Sequence, residues 1–416
     1  MAHPLRLGAL VAGAAILTLS ACSQGSATRS DTGEDGQVVV RYMEFSSSGG
    51  NESNLEAIVA AFEEENPDID VQVETTPYAD YFTKLQTAVA GGTEADAFEL
   101  NYENFVTYAE SGALAELDVD GGAYTPSLLE AFQHDGAQLG LPESFSDVVL
   151  FYNKDLFAAA GVPEPTADWT WEDERAAAQQ LTDAAAGVWG DYQPATFHEF
   201  YKVLAQAGGQ FLNEDGTATA FNSPEGVAAA TWLTEKSGTV MPTEAEGAGT
   251  PDFDSTLFRE GKLAMWHSGI WMFGPLADVP FEWDVVVEPG DATKASAMFT
   301  NGVVVSANSE HPDEAQAWLE FLTASDTTVE TRLNAGWELP PIDDDEKLAP
   351  YLEQSPPANR QAVFDALDET VLPPVIVRQQ EMQDAVTEEL GNAAAGRKSV
   401  EQAVADAAAR VDELLG

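Results

Sequence analysis

Apolar positions alternate between helical and strand spacing from residue 38 onward, which predicts a strand–helix–strand unit near the start of the chain. A strand begins at Val38, and apolar residues then recur every three or four positions from Leu55 to Phe62, as on one face of a helix. Residues 69–73 alternate apolar and polar side chains, which indicates a second strand. A unit of this kind favours parallel strands and an α/β fold.

The same alternation continues towards the C-terminus. It predicts helices at about 79–90 and 103–111 and strands at 96–100, 138–141, 148–152, 263–266, 284–287 and 302–305. Ser223 before Pro224 is typical of a helix start, and Ser399 with Gln402 has the spacing of a capping box. No internal repeat or long linker interrupts residues 38–416, so two lobes must be joined by crossings within this pattern.

Length and charge narrow the classes of protein that fit this pattern. The chain has 416 residues, of which 44% are hydrophobic, and this favours about two or three domains with a large core. Acidic residues outnumber basic ones by 71 to 18, which gives a net charge of −53. Phosphate backbones and anionic membrane surfaces attract clustered Lys and Arg, so we expect no nucleic-acid partner and no electrostatic docking on a membrane.

The N-terminal segment predicts export and lipid attachment. Residues 7–19 form an apolar run of about 13 residues, too short to span a membrane and typical of a signal peptide. Cys22, the only cysteine, follows Leu19-Ser20-Ala21 in a pattern that resembles a bacterial lipobox. We therefore predict a signal peptide over 1–21, a lipidated Cys22 on the outer face of the cell membrane, and a flexible tether over 22–37. A single cysteine also excludes an intramolecular disulfide and a Cys-based zinc site.

Several segments in a fixed order carry a family resemblance. They are Tyr81–Leu85, Tyr108–Leu114, Leu150–Phe157, Trp169–Trp171, Phe258–Gly261, Ala264–Trp266, Gly269–Trp271, Asn301–Gly302 and Gly396–Leu415. Together they resemble family 1 of the extracellular solute-binding proteins of bacterial ABC importers, the sugar-binding family that includes maltose-binding protein.

This resemblance implies a two-lobed, periplasmic-binding-protein-like α/β fold. Each lobe would be a mixed sheet flanked by helices, with the ligand held in the cleft between the lobes. The implied N-terminal lobe comprises residues 38–143 and 304–335, and the implied C-terminal lobe comprises residues 146–300 and 338–416. The hinge would consist of crossings near 143–146, 300–304 and 335–338.

A sugar site needs flat aromatic rings for stacking and polar groups for the hydroxyls. Trp266 and Trp271 flank a predicted strand end, and the resemblance implies that Trp271 is a stacking platform. For Trp266 the alternative is ordinary packing in the core. Trp337 and Glu338 stand at the expected last crossing, where irregular backbone often faces a cleft.

Other candidate contacts lie in loops and at crossings. Glu44 and Ser47 follow the first strand, and ligands of open α/β sheets bind beyond the carboxyl ends of strands, although an ordinary polar loop is the alternative. The resemblance or the expected crossings imply further contacts at Asn101, Glu103, Phe145, His198 and Asn301. For His198 the alternative is a plain surface residue. Arg378 is one of few cations in the second half, and it either holds a hydroxyl pair or carboxylate or merely offsets nearby acids.

The function implied is capture of a mono- or oligosaccharide by a monomer that delivers it to an ABC permease. A secreted glycoside hydrolase is the alternative from another class, but with 71 acids the paired carboxylates that hydrolysis needs arise by chance. The chain has no G-x-S-x-G, H-E-x-x-H or P-loop motif, and its five His leave little material for a metal site. We therefore expect no cofactor and no metal, and keep a non-sugar organic solute as the alternative ligand.

The lipobox interpretation makes a direct prediction about membrane attachment. Changing Cys22 to Ala should release the exported protein from membranes, because a diacylated cysteine supplies more than one chain at about 0.8 kcal/mol per buried CH₂. Detergent partitioning of the Cys22→Ala variant checks this, with a Ser23→Ala variant as the control. Equal partitioning of Cys22→Ala and the native protein would contradict the anchor.

Overall fold

The computed structural model describes residues 36–48, 51–119, 121–247, 253–335 and 337–416. The predictions for the signal peptide, for Cys22 and for most of the tether therefore lie outside the described residues. Within the described ranges, no helix combines the length and the apolar character that a membrane span requires.

Ten strands and sixteen α-helices make up the described chain. The strands are β1 (Val38–Glu44), β2 (Ile69–Thr75), β3 (Ala97–Asn101), β4 (Gln133–His134), β5 (Ala137–Gln138), β6 (Leu141–Asn153), β7 (Met265–Gly269), β8 (Trp283–Val286), β9 (Ser296–Val305) and β10 (Thr370–Val371). The helices are α1 (Glu52–Glu65), α2 (Tyr78–Gly91), α3 (Tyr102–Glu110), α4 (Pro126–Glu130), α5 (Lys154–Ala160), α6 (Trp171–Leu181), α7 (Phe197–Gln206), α8 (Pro224–Thr234), α9 (Glu244–Gly247), α10 (Phe253–Arg259), α11 (Pro312–Ala324), α12 (Asp326–Ala335), α13 (Asp345–Leu352), α14 (Gln361–Ala366), α15 (Gln379–Ala394) and α16 (Val400–Leu415).

One mixed sheet runs through the molecule. Its strand order is β2-β1-β3-β9-β6-β7, with β8 also paired to β6 and β10 to β9. Strand β1 is parallel to both β2 and β3, whereas β3–β9, β9–β6 and β6–β7 are antiparallel. We call the part built on β1, β2 and β3 the N-terminal lobe, and the part built on β7 and β8 the C-terminal lobe.

Strands β6 and β9 belong to both lobes. The first half of β6 pairs with β9, and its second half pairs with β7 and β8. The sequence predicts two strands, at 138–141 and 148–152, but the structure has one strand of 13 residues. The stretch between them was missed because it carries polar side chains such as Glu143 and Ser144. In the structure both are buried, Glu143 with Arg332 and Ser144 with Glu338. The lobe bounds and crossings proposed from the sequence stay a prediction.

The N-terminal lobe is held together by aromatic residues on both faces of its sheet. On one face Trp318 of α11 packs edge-on against Tyr42 of β1 and Phe62 of α1, with ring centroids 5.8 and 5.3 Å apart. On the other face, Tyr81 of α2 and Phe105 of α3 are buried against the same sheet. Each helix therefore buries one apolar stripe, as its helical spacing predicts.

Helix starts in the C-terminal lobe follow the sequence signals in part. Ser223 accepts a hydrogen bond from the Gly226 backbone N–H at 3.2 Å, as the Ser-Pro signal predicts for α8. Ser399 likewise accepts from the Gln402 N–H at 3.2 Å. The second half of that predicted capping box is wrong, because the Gln402 amide donates to Asp406 Oδ1 at 2.6 Å instead.

A cluster of charged side chains lies inside the C-terminal lobe. The Lys236 ammonium is 2.6 Å from Glu174 and 2.5 Å from Asp191, and all three side chains are buried. His267 lies 2.9 Å from Glu288, which also pairs with the buried Lys202 at 3.0 Å. Although burial opposes ionisation, His267 and Lys202 lower the pKa of Glu288 to about 2. The cluster is thus internally compensated, as buried charges must be.

Breaking this cluster should destabilise the fold. In Lys236→Met the carboxylates of Glu174 and Asp191 lose their ammonium partner, and we expect a loss of about 3–5 kcal/mol in the free energy of unfolding. Urea denaturation measures it. The control is Lys84→Met, which removes an exposed pair with Glu74 and should change little. Equal effects of the two substitutions would contradict the importance of the buried cluster.

Candidate functional site

A cavity of about 730 Å³ lies where the two lobes meet. Its volume falls in the range of about 300–1,000 Å³ that small-ligand sites occupy. Its lining comes from the residue before α1, from β6, from the turn after β7, from the end of α12 and the segment after it, and from α13 and the segment after it. The residues are Asn51, Phe145, Ser146, Ile270, Trp271, Phe273, Gly274, Pro275, Ala277, Arg332, Leu333, Trp337, Glu338, Leu339, Tyr351, Gln354, Ser355, Pro356 and Arg360.

Trp271 presents its indole ring to this cavity. Strand β7 ends at Gly269, and a 3₁₀ turn over Ile270–Met272 carries the ring back over that glycine. A Cβ atom on Gly269 would stand only 1.8 Å from Cζ3 of the indole, so the ring rests directly on the glycine backbone. Phe299 supports the ring edge at 5.7 Å, yet 53% of the Trp271 surface is exposed. The structure therefore holds a large apolar ring in a fixed, accessible position.

Trp266, in contrast, lies in the core. It is 1% exposed and packs against Phe151 and Phe258, with ring centroids 5.5 and 5.4 Å away. Its indole N–H donates to Asp254 Oδ2 at 3.1 Å. All five residues of β7 are buried, and Trp266 is absent from the described residues that line the cavity. The structure thus does not bring Trp266 to the cavity.

Four further candidates from the sequence do come together at the lobe junction. Glu338 accepts hydrogen bonds from Ser144 Oγ and from Asn301 Nδ2, the latter at 3.3 Å. The buried Phe145 donates its backbone N–H to the Leu339 carbonyl at 3.1 Å. Trp337 lines the same cavity, and all of these residues meet where β6, β9 and the segment after α12 run side by side.

Arg332 is a site residue that the sequence reasoning missed. Its buried guanidinium donates to Glu143 and lies 4.3 Å from the centroid of the Trp337 ring. Its Nε and Nη1 have no hydrogen-bond partner in the described part of the protein. Burial raises the pKa of Glu143 to about 7, although Arg332 acts in the opposite direction. The only available signal was a cation on the apolar stripe of α12, next to the buried Leu333.

Glu44 and Ser47 lie at the carboxyl end of β1, where the sequence places them, but their polar groups are occupied. Glu44 accepts from the Ser47 N–H at 2.8 Å and from Ser47 Oγ at 2.7 Å, and Thr75 Oγ1 donates to the same carboxylate. Both residues are buried. In this arrangement they close the loop after β1 and are absent from the described residues that line the cavity, and their ligand contact stays a prediction.

Asn101, Glu103 and His198 lie at a second edge, where the lobes touch. Asn101 caps α3 by accepting from the Asn104 N–H at 3.1 Å. Glu103 accepts from the Gln383 amide of α15 at 3.3 Å, so this contact joins the two lobes. Burial raises the pKa of Glu103, and the nearby His198 lowers it. His198 is otherwise exposed in the first turn of α7.

Tyr78 is a second residue that the sequence reasoning missed. Its ring is 56% exposed, and its hydroxyl accepts from Asn101 Nδ2 at 3.2 Å. It packs edge-on against Phe45, with centroids 5.1 Å apart. Helix spacing alone does not separate this exposed aromatic residue from the buried Tyr81 three residues later.

Arg378 lies outside the cavity. It stands immediately before α15, is exposed, and pairs with Glu381, with Nε donating to Oε1 at 2.8 Å. This pair fits the role of offsetting a nearby acid, and a ligand contact at Arg378 stays a prediction.

One trio of side chains has the composition of a metal site. Ligand atoms of Glu174, Asp191 and His267 lie within 4.8 Å of one another. The Lys236 ammonium already contacts both carboxylates, so a cation of the protein itself occupies the position that a metal ion would take. A separate surface pocket of about 440 Å³ opens over Lys236 between α6 and α8, and we call it the outer pocket.

Comparisons with known proteins agree on the family. A family model described as bacterial extracellular solute-binding protein matches residues 46–329. A putative binding protein of Brucella abortus (strain 2308) is 25% identical over 419 residues, which cover 98% of this chain and 97% of that protein. The galactooligosaccharide-binding protein of Bacillus subtilis (strain 168) is 25% identical over 346 residues, which cover 80% of this chain and 79% of that one.

A solved structure extends the likeness to the whole architecture. An ABC substrate-binding protein of Listeria monocytogenes, solved in complex with cycloalternan, is 45% identical, covers 90% of this chain and 98% of its own, and superposes with a TM-score of 0.78. The predicted two-lobed α/β fold is thereby confirmed. With the family model spanning most of the sequence and this likeness spanning nearly all of it, the chain belongs to the bacterial extracellular solute-binding proteins.

Proposed function

We propose that this protein is the solute-binding component of an ABC importer and that it holds an oligosaccharide in the cavity between its lobes. The names of two relatives support a sugar, since one binds galactooligosaccharides and the other was solved with cycloalternan. The family supports export and delivery to an ABC permease. Lipid attachment at Cys22 and a monomeric state are further parts of the proposal.

The exposed ring of Trp271 is the observation that carries the proposal. A pyranose offers an apolar ring face and a rim of hydroxyls, and an accessible indole is the side chain best suited to cover that face. Polar side chains line the same cavity, among them Glu338 and Arg332, and two nitrogens of Arg332 have no partner among the described residues. This combination of one flat apolar surface and a few polar groups is typical of small-ligand sites.

We propose that binding occurs without chemistry. Glycoside hydrolysis needs two carboxyl groups flanking the scissile bond at about 5–10 Å. Among the described residues that line the cavity, Glu338 is the only acid, and it already accepts two hydrogen bonds. A prolonged incubation with the bound sugar, followed by product analysis, should therefore return it intact.

Trp271→Ala should separate a binding role from a packing role. We expect binding of the sugar to weaken by about 30-fold to 1,000-fold, with little change in the melting temperature of the unliganded protein. Calorimetric titration against a panel of oligosaccharides first identifies a ligand, and the variant is then titrated with it. The control is Trp318→Ala, which empties a fully buried site and should cost about 3–5 kcal/mol of stability.

Two outcomes would contradict the proposal. A large fall in melting temperature for Trp271→Ala, with unchanged affinity of the folded fraction, would show that the ring only packs. Failure of every oligosaccharide in the panel to bind the native protein would contradict the proposed ligand class.

Gly269→Ala tests the position of the ring without removing it. The backbone φ of Gly269 is −93°, which any residue adopts, so the substitution strains only the contact with the indole. We expect weaker sugar binding with a melting temperature close to that of the native protein. The control is Gly391→Ala in α15, where a Cβ meets nothing within 4 Å. Unchanged affinity of Gly269→Ala would mean that the ring position does not matter for binding.

A further inference from the structure

Arg360 is a buried cation without a buried anion. Its residue surface is 9% exposed, and within the described part of the protein no carboxylate lies within 4.0 Å of its guanidinium. Burying an unpaired charge is costly, and a chain with 71 acidic residues has ample means to supply a partner. The C-terminal cluster shows this directly, because its Lys202 and Lys236 each contact two carboxylates.

The contacts that Arg360 makes include two aromatic rings and a carbonyl, and they leave a donor unpaired. Its Nη2 donates to the Pro356 carbonyl at 3.1 Å. Its guanidinium lies over the rings of Tyr351 and Phe273, 4.5 and 5.1 Å from their centroids. Its Nε is buried and has no partner in the described residues. A guanidinium packed against two rings, with a donor left unpaired and no carboxylate partner, is suited to pair with a carboxylate that enters the cavity.

Two acids at or beside the same cavity are paired with other residues. Arg360, Arg332 and Glu338 all line it. Glu338 is held by Ser144 and Asn301, and Glu143 is held by Arg332. Arg360 therefore lines the cavity as a cation, and no carboxylate among the described lining residues pairs with it.

We propose that this anion belongs to the ligand, and that the cavity binds a saccharide carrying a carboxylate, a uronic acid unit. The carboxylate pairs with Arg360 while a sugar ring covers Trp271, since both side chains line one cavity. The inference rests on the proposed function and deepens it by naming the ligand class. A ligand carboxylate would also explain why Arg360 has no acidic partner in so acidic a chain. The charge is left unpaired in the unliganded protein and is neutralised when the ligand binds.

The test compares matched pairs of glycosides that differ only in oxidation at C6. Calorimetric titrations use glucosides with glucuronides, galactosides with galacturonides, and mannosides with mannuronides, each as mono- and disaccharides. For at least one pair we expect the uronide to bind about 10- to 100-fold more tightly than its neutral partner, as a charge-assisted pair predicts. Neutral sugars that bind as well as or better than every uronide overturn this inference and leave the proposed function standing. Absence of binding by all neutral and acidic sugars overturns both.

Arg360→Gln assigns the preference to this residue. The variant should lose the preference, so that the uronide and its neutral partner bind within about threefold of each other. Arg410→Gln, which alters an exposed pair with Glu388 on α16, is the matched control and should keep the preference. The melting temperature of unliganded Arg360→Gln should equal or exceed that of the native protein, because an unpaired buried charge has been removed. A lower melting temperature together with equal weakening of both sugars would show a structural role and overturn the inference.

Discussion

The antiparallel pairing of β6 with β9 is the constraint on which the rest of the molecule depends. Both strands run unbroken from one lobe into the other, so the lobes share a sheet and meet along a fixed line. The register shifts between Pro142 and Ser144, at the point where the polar residues of β6 begin. This pairing places Phe145 close to Asn301, and hydrogen bonds from Phe145, Ser144 and Asn301 add the segment that carries Trp337. The cavity therefore forms at the boundary between the two lobes.

Charge compensation differs between the C-terminal core and the cavity. In the core, Lys202, Lys236 and His267 neutralise their carboxylates, and the pKa of Glu288 falls to about 2. At the cavity, burial raises the pKa of Glu143 to about 7, and two arginines keep donors without partners. The two regions thus differ in that each core cation contacts at least one carboxylate, whereas Arg360 at the cavity contacts none in the described residues.

The sequence predicted the alternation of helices and strands and the two-lobed class, because apolar spacing and an ordered set of segments report on these directly, whereas the sugar contact at Trp271 stays a prediction. The sequence did not separate Trp266 from Trp271, since Trp266 lies within the buried β7 whereas Trp271 lies in the turn after it, where Gly269 carries the indole. Arg332 and Arg360 were missed because a buried cation has no periodic signature. Their partners lie far along the chain or, in the case of Arg360, outside it.

Hydrogen exchange with and without a bound sugar tests most directly whether the ligand lies between the lobes. The account predicts slower exchange over residues 270–277 and 332–339, which line the cavity from different parts of the chain. It predicts no change over residues 175–182 and 232–240, which line the outer pocket. Protection confined to the outer pocket, with the cavity segments unchanged, would contradict the central claim.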